Sequence, residues 1–138
     1  MEKFIPYIGL PYGNNGRENG IVDCWGLVVT IYSDLYGVEL PRYKECNFIK
    51  EGRKGTSSFI TGTGLYKECQ KLSIEEQPQE GDLILIDNAG QPTHIGMVVD
   101  KDYMIHAFDK GGSVIESFRS NKWKAKIRAF YRHPYFLS

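Results

Sequence analysis

The feature that most constrains this chain is a change of texture at Gly81. Beyond it the sequence breaks into short runs, Asp82 to Ile86, His94 to Val99, Tyr103 to Phe108, Val114 to Phe118 and Ile127 to Arg132, rich in β-branched or aromatic residues and separated by turn formers. They predict a five-stranded antiparallel meander. Ahead of it one segment reads clearly as a helix. Leu27, Val28, Ile31 and Leu35 recur at helical spacing between Asp23, a good N-cap, and Gly37, a helix stop. A helix followed by a sheet predicts an α+β fold, with the apolar stripe of the helix packed across the sheet.

The rest is less ordered. Phe4 to Gly20 is rich in Gly, Asn and Pro and reads as loop outside the core. Between Tyr43 and Leu72, Gly52, Gly55, Gly62 and Gly64 break any period, which predicts a long loop with one short helix near Leu65 to Gln70. A length of 138 residues suits one compact domain over the whole of 1–138.

Composition removes several function classes. With 41% apolar and 25% charged residues and no long apolar run, membrane insertion is not expected. Lys plus Arg equals Asp plus Glu at 17 each, so no net field draws the chain to nucleic acid. The charge is uneven, however. Glu75, Glu76, Glu80 and Asp82 cluster, whereas Arg119, Lys122, Lys124, Lys126, Arg128 and Arg132 make the C-terminal stretch basic. That stretch is either a solvated strand face or a contact for an anionic polymer or partner. Three cysteines without regular spacing, Cys24, Cys46 and Cys69, argue for reduced thiols over a disulfide framework. The first residues lack the apolar run of a secretory signal, so a substrate outside the cell would require another means of delivery.

Cys24 follows the N-cap and so falls in the first helical turn, where backbone N–H groups and the helix dipole favour a thiolate and an oxyanion. A thiolate nucleophile needs a proton acceptor. His94 opens an apolar strand, and His106 lies in the next one. A three-residue hairpin loop, Asp100-Lys101-Asp102, would set Gly96 opposite His106 and His94 opposite Phe108, with both histidines on one face. A two-residue loop would put them on opposite faces. A glycine within a strand also marks a close approach. In this arrangement His94 is the base and His106 holds it in the useful tautomer. One cysteine and two histidines could instead bind zinc, but no metal-ligand spacing accompanies them, and neither metal nor cofactor is expected. Trp25 is a core residue or part of a substrate groove, and His133 is structural. Cys46 and Cys69 have no catalytic context.

The run Val22-Asp23-Cys24-Trp25-Gly26-Leu27-Val28, the strand entry Gly81-Asp82-Leu83-Ile84-Leu85, His94-Ile95-Gly96-Met97-Val98 and Met104-Ile105-His106-Ala107 together resemble the NlpC-type cell-wall endopeptidases. The resemblance covers about Ile8 to His133. Trp25, Gly37-Val38-Glu39-Leu40-Pro41 and Ile127-Arg128-Ala129-Phe130-Tyr131-Arg132 resemble most the branch found at the tail tips of long-tailed bacteriophages. The resemblance implies a papain-like fold and a thiol endopeptidase with Cys24 as nucleophile, His94 as base and His106 as orienting residue. Tyr12 and Asp23 would border the site, with Trp25 beside them in the substrate or oxyanion region. The substrate implied is the peptidoglycan stem peptide, cut between D-glutamyl and diaminopimelyl residues. Trp25-Gly26 and the Asn14-Asn15-Gly16 loop stand where many relatives carry Ser-Gly and Trp-Gly-Gly, which alters the pocket.

The resemblance thus implies a peptidoglycan endopeptidase made in the bacterial cytoplasm, carried in a phage tail with tail-tip partner proteins, and acting in the periplasm or wall. Two alternatives stand beside it. One is a tail-tip docking protein with a peptidase fold; the other is an amidase or acyl transferase using the same Cys-His pair.

Overall fold

A computed structural model describes residues 1–13, 17–18, 20–41, 69–88, 91–108 and 111–137. The order of elements begins with a 3-10 helix (Glu2–Tyr7), followed by the small hairpin β1 (Arg17–Glu18) and β2 (Ile21–Val22). Helix α1 (Cys24–Ile31) then runs on through a π-helical turn, Tyr32–Tyr36. The main sheet is built from β3 (Gln70–Lys71), β4 (Leu83–Asn88), β5 (Gln91–Val98), β6 (Tyr103–Phe108), β7 (Gly112–Ser117) and β8 (Ile127–Arg132). A short helix α2 (Asn121–Lys124) precedes β8.

The α+β class and the helix position agree with the sequence reading. Gly37 ends the helical segment at φ 66°, the left-handed conformation that a glycine adopts without a side-chain penalty. The sheet is larger than predicted and is not a simple meander. All its pairings are antiparallel, in the order β3-β8-β4-β5-β6-β7, so β8 returns to lie beside β4. The additional strand β3 is two exposed polar residues paired with Tyr131 and Arg132, too short to leave a periodic signal. The short helix expected near Leu65 to Gln70 lies outside the described residues, apart from Cys69 and Gln70, and so does Cys46.

The two faces of the sheet carry separate cores. Leu83, Leu85, Ile95, Met97, Ile105, Ala107 and Tyr131 pack with α1. Ile84, Ile86, Val98, Met104 and Phe118 form the second cluster, joined by Trp123, Ile127 and Phe130. Helix α1 is buried on nearly every side, since Trp25, Leu27, Val28, Val29 and Ile31 are all inside. A helix apolar around its circumference needs cover beyond one sheet face. The N-terminal segment supplies part of it. Phe4 is fully buried in the α1 core, and Tyr7, Leu10 and Tyr12 pack against that core. The expectation that Phe4 to Gly20 lies outside the core is therefore corrected at these positions. Ser113 ties the segment to β7 by donating to the Tyr7 carbonyl and accepting from the Leu10 N–H.

The acidic cluster meets the basic stretch through one buried pair, Asp82 with Arg132. Asp82 is fully buried and binds Arg132 through both oxygens, Nε to Oδ1 and Nη2 to Oδ2 at 2.9 Å each. Arg128 pairs with Asp87, and Arg119 with Asp102. The side chains of Arg119, Lys122 and Arg128 stay exposed while paired, which fits the reading of the stretch as a solvated face.

Candidate active site

Asp23 starts α1 as a buried N-cap: its Oδ1 accepts the Gly26 N–H at 2.7 Å and its carbonyl accepts the Leu27 N–H. Cys24 is thereby set as the first helical residue. It is only 4% exposed and belongs to the same core cluster as Ile95 and Ala107, the sequence neighbours of His94 and His106. Tyr12 forms a parallel bridge with Val22, secured by Gly13 N–H to Val22 O and Val22 N–H to Pro11 O at 3.0 Å each. It therefore lies alongside the strand that leads into Cys24. Trp25 sits in the core, and its indole N–H donates to the Pro41 carbonyl at 2.8 Å. Of the two sequence readings for Trp25, this placement favours the core residue. His133 caps the C-terminal turn by accepting the Tyr135 N–H and meets the Tyr32 ring edge-on.

The β5–β6 hairpin decides the histidine geometry. Met97 pairs with Ile105 and Val98 with Met104, and Val99 N–H bonds Tyr103 O across Asp100-Lys101-Asp102. The same register sets Gly96 opposite His106, where a Cβ on Gly96 would lie 3.3 Å from the His106 Cβ. The odd-length loop thus places the histidines on one face. His94 Nε2 is 2.9 Å from His106 Nδ1, with ring centroids 5.1 Å apart. That face is the one occupied by Val98, Met104 and Trp123, whereas Ile95, Met97, Ile105 and Ala107 face α1.

The structure adds Glu116. It lies opposite Met104 on β7, and its Oε2 is 2.7 Å from His106 Nε2. Its other oxygen is 3.6 Å from Lys122 Nζ. A glutamate in a short strand looks in sequence like a solvent-facing residue. Extending the even register from β6 to β7, where His106 pairs with Val114, would have placed it on the histidine face. Trp123 packs edge-on to His106 at 4.9 Å and Phe108 stacks on it at 5.7 Å, together fixing the ring plane. The Trp123 Nε1 is buried without a hydrogen bond of good geometry, although its proximity to Glu116 helps hold that carboxyl low.

Burial, reinforced by His106, pushes the His94 pKa down to about 3. Burial also lowers that of His106, against the opposing pull of Glu116. For Glu116, desolvation acts upward but is outweighed by the bond to His106, the approach of Trp123 and the charge of Lys122, which together keep the carboxyl below its usual range. At neutral pH the set is therefore two neutral imidazoles ending on a carboxylate. Such a chain can accept a proton at one end and stabilise the resulting cation. Among the described residues no three His, Cys, Asp or Glu side chains converge as a metal-ligand set.

The family model for NlpC/P60 proteins matches residues 9–132. The chain belongs to the NlpC/P60 family. Among curated relatives, the Murein DD-endopeptidase MepS/Murein LD-carboxypeptidase of Escherichia coli is 23% identical over 126 residues, covering 91% of this chain and 57% of that protein. The Tail tip assembly protein K of Escherichia phage N15 is 27% identical over 88 residues, covering 63% of this chain and 35% of the relative. This NlpC/P60 chain thus spans little more than half of the E. coli relative and about a third of the phage one. Among solved structures, an NLP/P60 family lipoprotein-like protein from Staphylococcus aureus superposes with a TM-score of 0.62 at 28% identity, covering 96% of this chain and 39% of that one. The family resemblance and fold read from the sequence are both supported by these matches. Among the described residues no helix is long and apolar enough to cross a membrane.

Proposed function

We propose that this NlpC/P60 chain is a cysteine endopeptidase acting on peptidoglycan stem peptides, with Cys24 as nucleophile, His94 as base and His106 as the residue that orients it. The observation that carries the reading is the His94 Nε2 to His106 Nδ1 contact of 2.9 Å, which leaves His94 Nδ1 as the nitrogen available to a thiol. Cys24 belongs to the cluster on the α1 face, so the thiol would have to reach His94 past the end of the interior strand β5. His94 Nδ1 then takes the Cys24 proton, and the thiolate attacks the peptide carbonyl carbon. Collapse of the tetrahedral intermediate breaks the C–N bond, and the imidazolium donates its proton to the departing amine. Water, deprotonated by the same nitrogen, releases the acyl group and restores the thiol.

The substrate class follows the murein endopeptidase among the relatives. The bond we favour, D-glutamyl–diaminopimelate, follows instead from the resemblance to the NlpC-type endopeptidases and not from that relative, which is named a DD-endopeptidase. Tyr12 and Asp23 would border the site, Tyr12 as a wall beside the helix start and Asp23 as its cap. A phage tail is the favoured carrier, acting at the periplasm or wall with tail-tip proteins as partners, in line with the tail tip assembly relative. The burial of Cys24, at 4% exposure, favours a second reading in which the domain serves mainly to dock in the tail tip. Digestion of purified peptidoglycan with mass analysis of the released fragments separates these. New D-glutamyl carboxyl ends support the endopeptidase and its bond. Cleavage at another linkage moves the bond assignment, and intact wall favours the docking reading.

A further inference from the structure

We propose that Glu116 is a positioning residue that fixes the direction of the hydrogen-bond chain through both histidines, so that the unprotonated nitrogen of His94 is Nδ1. This rests on the reading of His94 as the base and adds the residue that makes its basic atom the correct one.

The argument follows the protons. A carboxylate only accepts, and a neutral imidazole carries one N–H. With Oε2 of Glu116 2.7 Å from His106 Nε2, that nitrogen must hold the His106 proton. His106 Nδ1 is then a lone pair, and it lies 2.9 Å from His94 Nε2, which must donate to it. His94 Nδ1 is left unprotonated. The opposite order would aim a lone pair of His106 at the carboxylate. Burial keeps both rings neutral and Glu116 is held ionised, so neither reversal nor double protonation relieves that clash at neutral pH. Lys122, 3.6 Å from Oε1, faces the second oxygen and leaves Oε2 to the histidine. When His94 takes the thiol proton, its Nε2–H already points along the chain, and the negative charge of Glu116 opposes the cost of a buried imidazolium without any change of tautomer.

The test is long-range 1H–15N NMR on histidine-labelled protein at pH 7.5, together with hydrolysis of a soluble stem peptide, for wild type, Glu116→Ala and Glu116→Asp. Both wild-type rings are expected as the Nε2–H tautomer. Glu116→Ala should give mixed tautomers and a kcat about a hundredfold lower with little change in KM, the scale of a correctly positioned general base. Glu116→Asp should recover part of both. A wild-type His94 or His106 protonated at Nδ1 overturns the proposal, and that spectrum decides even if Glu116→Ala does not fold. Unchanged tautomers and rate in a folded Glu116→Ala also overturn it. If wild type shows the expected tautomers but cleaves no stem peptide, the peptidase reading fails while the role of Glu116 in orienting the histidines stands.

Discussion

His94 and His106 share one hydrogen bond across adjacent strands, Nε2 to Nδ1 at 2.9 Å, although 12 residues of chain separate them. The two rings therefore have different work to do. His94→Ala removes the proposed proton acceptor and should cost about a thousandfold in kcat/KM. His106→Gln should keep an appreciable part of the activity, because an amide can accept from His94 through its oxygen and donate to Glu116 through its nitrogen. Steady-state kinetics on a stem peptide compare them, and equal losses would contradict the division of roles.

Gly96 permits this pairing. A Cβ there would stand 3.3 Å from the His106 Cβ, closer than side chains normally pack, and 3.5 Å from the Ile105 carbonyl, an ordinary contact. Gly96→Ala should displace His106 and weaken its bond to His94, so kcat should fall about tenfold or more while the melting temperature drops by only a few degrees. Full activity in this variant would show that the histidine spacing has slack.

Stability should depend on pH through His94. Its folded pKa of about 3 lies below the ordinary 6.5, so above that value both folded and unfolded states are neutral and nothing is lost. As the pH falls from 6.5 toward 3 the unfolded chain takes up the proton first, and stability declines by at most about 1.4 kcal/mol per unit, less for the part of the residue still exposed to water. His106, shifted the same way, adds to the decline. Denaturant midpoints at pH 7.5 and 5 should differ in wild type and differ less in His94→Ala, where the contribution of His106 remains; a flat wild-type profile would contradict the burial.

Arg132 should be structural. Its removal as Arg132→Met strands the fully buried Asp82 and should destabilise the fold by about 3–5 kcal/mol, as breaking a buried pair does. Chemical denaturation measures it, and a change below about 1 kcal/mol would mean that Asp82 finds another partner.

What could be read in advance follows from where physical signals are local. Asp23, the 27/28/31/35 spacing and Gly37 specify α1 within a single segment, and the Asp100-Lys101-Asp102 loop sets the histidine register within a single hairpin. The placement of β8 beside β4 and the pairing of β3 depend on contacts between distant segments, which no local period encodes. Phe4 escaped for a related reason: Gly, Asn and Pro mark an irregular backbone, which says nothing about whether one aromatic in it turns inward. Glu116 was overlooked because its partner is a histidine on the next strand and its own strand looks half solvated.

The most direct test of the account is the alkylation of Cys24 followed alongside wall hydrolysis in one sample. Iodoacetamide at neutral pH, with labelled peptides mapped by mass spectrometry and released muropeptides measured at each time point, reports both thiolate character and catalytic need. The account predicts that Cys24 is modified ahead of Cys46 and Cys69 and that hydrolysis falls in proportion to its modification. Hydrolysis that survives complete modification of Cys24, or earlier labelling of Cys46 or Cys69 with Cys24 inert, would contradict it.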